Sequence, residues 1–279
     1  MSLTPEQIKG RIKNVAKQNN ADARVLLRIY MMERILERVA NSRYADDFII
    51  KGGILVTSMV GVSMRSTMDI DTSIRNWNLT EEEARQVIEE VIAVDMADDV
   101  DFIVKDVSNI MDDMEYPGIR ISLDASIGQM SAPLKIDIST GDVITPKAIS
   151  YEYKLMLEDR SIILWSYNLE TILAEKLQTV LARGVLNTRM RDYYDIYTLT
   201  KIYKNSIDIL VLRDAFAATC KKRDSLGLMN EGENIITIVA DDNTLSERWK
   251  AYKAKYSYAV DISYDKVIKS IVELYKLAV

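Results

Sequence analysis

The chain of 279 residues contains no histidine and only one cysteine, Cys220. Without histidine it cannot use Ser-His-Asp hydrolysis, imidazole acid–base catalysis, or zinc and iron sites with imidazole ligands. A single cysteine forms neither an internal disulfide nor a structural zinc site. Cys220 lies in an apolar pattern typical of a helix, which indicates a residue without chemistry. The chemistry that remains depends on carboxylates, lysines and arginines.

Long apolar runs are also missing, because no stretch approaches the length of a membrane span. No secretory signal is evident, so we expect a cytoplasmic protein in a reducing compartment with no membrane partner. Hydrophobic residues make up 48% of the chain, which is enough for a sizeable core, and the length favours two domains. The formal net charge of −6 argues against nonspecific coating of nucleic acid, although a local basic surface still permits RNA binding.

The pattern along the chain predicts an α+β fold, with a mixed-sheet domain over residues 1–166 and a helical domain over 167–279. Pro5 and Asp22 mark the starts of two leading helices, and Phe48–Lys51 is typical of a strand. Further strands are predicted near 100–107, 118–125, 133–139 and 160–165. Further helices are predicted over 80–95, 168–183, 189–204, 208–222, 244–257 and 264–277. We expect residues 224–233 to form a mobile loop.

Asp69 and Asp71 are separated by one apolar residue in a segment typical of a strand, with Met68 and Ile70 facing a core. On a strand the two carboxylates share one face. At roughly 5 Å and an effective dielectric near 20, their repulsion is about 3 kcal/mol, which favours a shared proton or a bound cation. Mg²⁺ suits two carboxylates and substrate phosphates, with Mn²⁺ as an alternative. The competing interpretation is a solvated acidic pair at a strand edge.

A second predicted strand carries Asp137 with the same alternation of apolar and polar residues. Three strand carboxylates could complete a two-metal site that activates an attacking oxygen and neutralises a leaving pyrophosphate. Gly52 and Gly53 precede the Asp69 segment and suit a strand-to-helix turn. Backbone amides and a helix N-terminus at such a turn favour an incoming triphosphate.

Two helical residues also suggest a site. Lys176 falls within the apolar stripe of the helix predicted from Asn168, where packing favours leucine. It either reaches solvent from the margin of the core or points at an anion. Asp192 flanks the apolar face of the next helix, while Asp195 is expected to point further outward. Asp192 either complements the helix dipole or organises a site.

Basic and aromatic residues are weaker indicators of function than the carboxylates and Lys176. Two candidate RNA-binding stripes include Arg183, Arg189, Arg191 and Lys221-Lys222-Arg223 in one group, and Lys250, Lys253 and Lys255 in the other. Each stripe is equally compatible with a solvated helix face. Tyrosines at helical spacing, such as those at positions 193, 194 and 197, are typical of core packing.

The order of these motifs resembles the AbiEii branch of the polymerase-β-type nucleotidyltransferase superfamily. The resemblance covers roughly residues 45–205. It is carried by the Arg65-Ser66-Thr67-Met68-Asp69-Ile70-Asp71 run, the Lys135-Ile136-Asp137 strand, the Ala174-Glu175-Lys176-Leu177 helix and the Arg191-Asp192-Tyr193-Tyr194-Asp195-Ile196-Tyr197 helix. One departure from the family pattern is the separation of Gly53 and Asp69 by 15 residues, a little longer than in the most compact members of the superfamily. An extra loop fits in this interval, so the contact of Gly53 with phosphate is less well supported than the roles of the carboxylates.

This resemblance implies a nucleotidyltransferase fold over 1–166 and a transfer of NMP from an NTP to a hydroxyl group, with release of pyrophosphate. The metal ligands it implies are Asp69, Asp71 and Asp137, with Asp137 also helping to deprotonate the hydroxyl. The nucleotide-binding residues it implies are Gly52, Gly53, Arg65, Thr67 and Lys176. The helical domain would supply Lys176 and Asp192 as catalytic or site-organising residues.

The resemblance also implies a biological role. AbiEii proteins are toxins of bacterial toxin–antitoxin and abortive-infection systems, which act in phage defence. We therefore expect a cognate antitoxin as a partner and an RNA acceptor, with the 3′ end of tRNA as the specific expectation. That role rests on family analogy alone.

Three other functions fit parts of the pattern. A small-molecule nucleotidyltransferase, such as an antibiotic-modifying enzyme, would share the metal site and differ in the acceptor pocket. A glycosyltransferase could use Asp-X-Asp with a nucleotide-sugar, but the glycine pair and Asp137 argue against it. A non-catalytic nucleotide-binding regulatory module would bind NTP without turnover.

Overall fold

The computed structural model describes residues 3–75, 79–110 and 118–279. Its helices and strands confirm the predicted α+β class. The helices are α1 (Pro5–Asn19), α2 (Ala23–Ala40), α3 (Gly52–Val60), α4 (Glu81–Ile92), α5 (Leu169–Arg183), α6 (Met190–Ile202), α7 (Ile209–Lys222), α8 (Leu228–Asp241), α9 (Asn243–Lys255) and α10 (Tyr264–Ala278). The strands are β1 (Phe48–Lys51), β2 (Ile70–Ile74), β3 (Asp101–Ile110), β4 (Gly118–Ile127), β5 (Met130–Thr140), β6 (Ile149–Lys154) and β7 (Ser161–Ser166).

The chain divides into two compact units. The first, which we call the sheet unit, comprises Met1–Asp142 and Ile149–Ser166. The second, the helical unit, comprises Val143–Ala148 and Tyr167–Val279. All the strands just named belong to the sheet unit, whereas α5 and the helices after it belong to the helical unit.

One mixed sheet organises the described part of the sheet unit, with the strand order β3-β4-β5-β2-β1-β7-β6. Strand β2 lies at its centre, antiparallel to β1 and parallel to β5. Strand β4 is antiparallel to β5 and β3. On the other side, β7 is parallel to β1 and antiparallel to β6. This order brings three segments that are distant in sequence, β1, β2 and β5, side by side.

The central strands have one apolar face and one charged face. Ile50, Ile70 and Ile136 line a small apolar cavity together with Ile35 and Leu36 of α2. These five side chains are at most 1% exposed. Burying each of them contributes about 1.5–3 kcal/mol, so this packing fixes which face of the sheet is covered by helices. Since successive side chains alternate across a strand, the residues that follow these isoleucines point to the opposite face.

The helical unit is built around α5 and α6. Helix α5 packs against α6 and α7, and α10 packs against α6, α7 and α8. Asn168 caps α5, because its side chain accepts a hydrogen bond from the Thr171 amide at 2.8 Å. This cap confirms the predicted helix start and sets the rotation of α5, which places Lys176 toward α6.

The prediction of a mobile loop over residues 224–233 was wrong. Helix α8 begins at Leu228, and Gly232 lies inside it. A Cβ atom at Gly232 would overlap the ring of Tyr275 on α10. Glycine is unfavourable within a helix by roughly 0.5–1 kcal/mol, and it is explained here by the close approach of an aromatic ring.

Candidate active site

Four charged residues form a row across four adjacent strands on the face of the sheet opposite the apolar cavity. Lys51 on β1 pairs in register with Asp71 on β2. Asp71 pairs with Asp137 on β5, and Asp137 pairs with Arg120 on β4. Directly paired residues point to the same face, so two neighbouring carboxylates, Asp71 and Asp137, lie between two cations, Lys51 and Arg120. The sheet register thus brings together two of the three predicted carboxylates.

Arg120 holds Asp137 through both of its carboxylate oxygens. The Arg120 Nε donates to Asp137 Oδ1 at 2.8 Å, and Nη2 donates to Oδ2 at 2.7 Å. The Asp137 side chain is 8% exposed and that of Arg120 is 38% exposed. A bidentate guanidinium fixes the plane of a carboxylate as well as offsetting its charge. Arg120 was not among the predicted site residues.

Asp69 lies immediately before β2, which begins at Ile70. The expectation that the strand includes Met68 and Asp69 was therefore wrong at its first residues, and Asp69 is not held by the sheet register. Burial raises the pKa of the Asp69 carboxyl above its usual range, and the negative charges of Asp71 and Asp137 raise that pKa further. The three carboxylates are close enough to repel one another, as predicted from their motifs.

The glycine pair forms the turn from β1 into α3. Gly52 has a φ of +56°, a left-handed conformation that glycine adopts without strain. The Gly53 amide donates to Asp71 Oδ2 at 2.9 Å, so the turn fixes the orientation of that carboxylate. A Cβ atom added at Gly52 would overlap the Asp71 carboxylate. The missing side chain of Gly52 therefore leaves the space that the Asp71 carboxylate occupies, and the Gly53 amide binds that carboxylate.

Arg65 and Thr67 lie on the other side of this turn and are each 3% exposed. A Cβ atom at Gly53 would overlap the Thr67 hydroxyl and lie 3.1 Å from Arg65 Nη1. Arg65 donates from Nη1 to the Ser66 carbonyl at 2.8 Å, and the Thr67 hydroxyl donates to the Asp69 carbonyl at 3.2 Å. Both side chains thus order the backbone that leads into Asp69.

Within the helical unit, Lys176 of α5 is held between two carboxylates of α6. Its Nζ lies 3.0 Å from Asp192 Oδ1 and 2.7 Å from Asp195 Oδ2. The lysine side chain is 11% exposed, and those of Asp192 and Asp195 are 6% and 0% exposed. Arg189 adds a second cation, with Nε 3.0 Å from Asp192 Oδ2. Lys176, Asp192 and Asp195 therefore form a nearly buried ionic cluster, and Arg189, whose side chain is 52% exposed, joins it from the surface.

The expectation that Asp195 points outward was wrong. Helix α6 buries residues around most of its circumference, including Tyr193 and Tyr194, so it has no polar face at position 195. Sequence reasoning missed the role of Asp195 as a partner of Lys176. The signal that could have revealed it is the buried lysine itself, because an ammonium within an apolar stripe requires anions and α6 offers two at i and i+3.

The sequence model of one protein family, described as "Nucleotidyl transferase AbiEii toxin, Type IV TA system", matches residues 34–270. The chain belongs to the AbiEii family. It is therefore a nucleotidyltransferase of a toxin–antitoxin system, and the predicted resemblance is confirmed. The match contains both the strand carboxylates of the sheet unit and the Lys176 cluster of the helical unit.

The solved structures that are similar to this AbiEii chain include the two described next. A candidate nucleotidyltransferase from H. pylori is 15% identical with a TM-score of 0.46, and the alignment covers 91% of this chain and 92% of that one. An antigenic nucleotidyltransferase-like protein from Paracoccidioides brasiliensis is 16% identical with a TM-score of 0.38, over 70% of this chain and 91% of that one. The search of curated proteins found no match. No helix in the described ranges is long and apolar enough to cross a membrane.

The AbiEii site suits a divalent cation at Asp69 and Asp71. Burial is the main cause of the raised pKa of Asp69, and repulsion from Asp71 and Asp137 adds to it. A bound cation would relieve both effects, because it stabilises the charged carboxylate. Mg²⁺ is commonly held by one or two carboxylates together with substrate phosphates. Among the described residues, no group of three or more acidic or cysteine side chains is arranged to hold a metal ion by itself. Asp137 is engaged by Arg120, so the predicted third ligand stays a prediction.

Lys51, like Arg120 and Asp195, was not among the predicted site residues. Its Nζ lies 2.5 Å from Asp142 Oδ2 and donates to the Ser139 hydroxyl at 2.6 Å. Ser139 in turn donates to Asp142 at 2.6 Å. Lys51 is the last residue of β1 and stands immediately before the glycine turn. Its side chain thus extends across β2 to the end of β5. This contact ties β1, which leads into the glycine turn, to the end of β5, which carries Asp137.

Substituting Gly52 tests the glycine turn of this AbiEii site. We expect Gly52→Ala to lower the free energy of unfolding by more than about 1 kcal/mol, because a left-handed residue with a Cβ is strained. The displaced Asp71 should also slow nucleotide transfer. The matched control is Gly10→Ala in α1, where an added Cβ meets nothing within 4 Å. That helix substitution should stabilise by roughly 0.5–1 kcal/mol. Chemical denaturation of both variants checks this, and wild-type stability of Gly52→Ala would contradict it.

Proposed function

We propose that this nucleotidyltransferase transfers NMP from an NTP to a hydroxyl at the 3′ end of RNA, specifically tRNA, in a Mg²⁺-dependent reaction that releases pyrophosphate. The observation that carries the proposal is the contact between Asp71 and the Gly53 amide, beside Asp69 and Asp137. This contact connects the three carboxylates, which suit a bound cation, with a strand-to-helix turn, which suits a bound phosphate.

Asp69 and Asp71 are the residues proposed to hold Mg²⁺, or Mn²⁺ as an alternative. When bound, the cation would neutralise the phosphate oxygens of the NTP and orient them for displacement. Gly52, Gly53 and Thr67 are proposed to lie beside the phosphates. Because phosphoryl chemistry of this kind depends mainly on positioning and electrostatics, the absence of histidine is no obstacle.

Asp137 is proposed to accept the proton of the attacking hydroxyl. Arg120 occupies one lone pair on each carboxylate oxygen, and each oxygen has a second lone pair for a new hydrogen bond. The fork of Arg120 thus holds the carboxylate in one plane while the hydroxyl approaches. Arg65 is proposed to act in nucleotide binding by ordering the segment that leads into Asp69.

Lys176 is proposed to neutralise negative charge on the nucleotide phosphates, with Asp192 and Asp195 holding it in place before substrate binds. The support for this role is a nearly buried ammonium whose two partners are acidic, since phosphate can replace a carboxylate as the anion. Arg189 would then remain as a partner for Asp192.

The toxin role is proposed to follow from modification of the acceptor. An NMP added to the 3′ end of tRNA would block aminoacylation and so arrest growth. The cognate antitoxin would counter this activity within a toxin–antitoxin pair that acts in the cytoplasm, in abortive infection and phage defence. These points are supported by the family alone.

The acceptor can be tested with tRNA whose 3′ end is chemically blocked. Periodate oxidises the terminal cis-diol, so it removes the proposed acceptor and leaves the rest of the RNA intact. With an α-³²P-labelled NTP, we expect label on untreated tRNA and none on oxidised tRNA. Equal labelling of both samples would contradict transfer to the 3′ end. Label that appears only on a small molecule added to the reaction would favour the antibiotic-modifying type of enzyme instead.

A further inference from the structure

An aromatic cluster in the helical unit has no part in the proposed chemistry. It consists of Trp249 and Tyr252 on α9, Tyr256 and Tyr258 just after α9, and Tyr194 on α6. Ring centroids lie 5.3 Å apart for Trp249 and Tyr252, 4.7 Å for Tyr252 and Tyr256, and 5.3 Å for Tyr256 and Tyr258. The rings thus form a continuous series from the interior of the unit to its surface.

The inner members of this series are explained by core packing. Trp249 is 1% exposed, and its indole N–H donates to the Ile262 carbonyl at 3.0 Å. Tyr252 is 8% exposed, and its hydroxyl lies 3.1 Å from that of Tyr258. Tyr256 and Tyr258 differ, because both are only partly buried and their rings are nearly parallel, with an interplanar angle of 21°. Core packing does not require this parallel pair at the surface.

Cations lie beside the outer tyrosines. Arg191 donates from Nη2 to the Tyr256 hydroxyl at 3.1 Å, and its Cζ lies 5.5 Å from the ring centroid. Lys255 Nζ lies 5.5 Å from the same centroid, and Lys253 precedes it by two residues. In the part of the chain that the structure describes, Arg191, Lys253 and Lys255 form no ion pair with a carboxylate. Their positive charge is therefore available to an anionic partner.

We propose that Tyr256 and Tyr258, together with Arg191, Lys253 and Lys255, form a platform that binds the single-stranded 3′ end of the RNA acceptor. This inference rests on the proposed RNA acceptor. Single-stranded RNA is bound by aromatic rings and guanidinium planes that stack on bases, with cations that contact the phosphates. An acidic protein would use the cations, but it would have no need of a parallel aromatic pair. The tyrosine platform thus favours RNA over an acidic protein partner.

Helix α6 connects the tyrosine platform with the Lys176 cluster. Arg191 precedes Asp192 in sequence, and Tyr194 lies on the same helix with its ring 4.8 Å from that of Tyr258. Helix α6 therefore carries residues of both the tyrosine platform and the Lys176 cluster. The local basic character also explains how a chain with a net charge of −6 could bind RNA, since binding would be confined to one place.

The test is binding of the full-length chain to a fluorescein-labelled single-stranded RNA of about 12 nucleotides, without NTP, followed by fluorescence anisotropy. We expect Tyr256→Ala to weaken binding about 10-fold, whereas Tyr256→Phe keeps the ring and should bind as wild type. The double variant Lys253→Ala/Lys255→Ala should reduce the slope of log K against log salt by about 1.4. Lys266→Ala/Lys269→Ala on α10 is the matched charge control and should leave the slope unchanged.

Each of three results would overturn the tyrosine platform. One is wild-type RNA affinity in Tyr256→Ala, with circular dichroism showing an intact fold. Another is an unchanged salt slope in Lys253→Ala/Lys255→Ala, a pair that does not depend on ring packing. A salt-sensitive affinity of the wild type for polyglutamate that equals its affinity for RNA would also overturn it, in favour of an acidic protein partner.

The same preparations separate this inference from the proposed function. If wild type transfers label to RNA while both sets of variants bind RNA normally, the tyrosine platform is wrong and the RNA acceptor is correct. If wild type neither binds nor labels RNA, the RNA acceptor itself is wrong. Asp69→Asn should bind the RNA with wild-type affinity and transfer no label, which shows that the binding measured is independent of catalysis.

Discussion

Replacing Asp71 with asparagine is expected to slow nucleotide transfer by about 10³-fold or more while the fold stays intact. The amide oxygen of asparagine can still accept the hydrogen bond from the Gly53 amide, so the strand-to-helix turn is retained. The negative charge is lost, and with it the ability to hold a cation against the NTP phosphates. Loss of several kcal/mol of electrostatic stabilisation corresponds to a rate decrease of this size.

The measurement is the initial rate of label transfer from an α-³²P-labelled NTP, with thermal melting as the check on folding. Asp106→Asn is the matched control, because Asp106 is an exposed carboxylate on β3 and the same charge is removed. It should leave the rate unchanged. A rate for Asp71→Asn within a few-fold of wild type would mean that Asp71 does not serve the reaction, and its contact with Gly53 would then be structural only.

Replacing Lys176 with methionine is expected to lower the free energy of unfolding by about 3–5 kcal/mol and to abolish transfer. Methionine has a similar length, so little packing is lost. The change leaves Asp192 and Asp195 buried without the ammonium that lies 3.0 and 2.7 Å from them. Breaking a buried ion pair from one side costs more than the pair contributes, because the carboxylates stay buried after they lose a cationic partner. Denaturation by urea, followed by circular dichroism, measures the loss.

A triple variant separates the two effects of Lys176. Lys176→Met/Asp192→Asn/Asp195→Asn removes the lysine and both carboxylate charges, so we expect it to recover most of the stability. It should remain inactive, since the Lys176 ammonium that is proposed to bind phosphate would be absent. Should Lys176→Met prove as stable and as active as wild type, Lys176 would be a residue at the margin of the core, which is the alternative that the sequence left open.

The helix starts in this chain were predictable because their signals are local. Thr4 and Thr80 both form capping boxes, and Asp22 and Asn168 cap α2 and α5 through their side chains. Each cap depends on residues within three positions, so the sequence pattern alone indicates it. The helix ends were less accurate, as α4 ends at Ile92 rather than near residue 95.

Elements that depend on distant partners were not predictable. Strand β6 was missed because it lies at the edge of the sheet with most of its residues exposed, and its pairing with β7 is what defines it. Helix α8 contains Gly232, whose position is explained only by the ring of Tyr275 on α10. In both cases tertiary contacts override a weak local pattern.

The candidate site also contains some residues that a local pattern predicts and others that depend on distant partners. The alternation of apolar and acidic residues correctly placed Asp71 and Asp137 on the face opposite the buried isoleucines. The partners that orient the site, Arg120, Lys51 and Asp195, required knowledge of strand register or helix burial. Pairing across such sequence distances cannot be read from the composition of either segment. The predicted roles of the site residues in catalysis and metal binding await the variants described above.

The most direct test of the central claim compares the fate of two labels in parallel reactions of the purified chain with tRNA, Mg²⁺ and each NTP in turn. Nucleotidyl transfer predicts that label from α-³²P NTP appears on the RNA and that label from γ-³²P NTP leaves as pyrophosphate, with neither reaction in Asp71→Asn. Label from the γ position on the RNA would mean phosphoryl transfer, and label from neither position in any product would mean a nucleotide-binding module without turnover. Either result would contradict the proposed function.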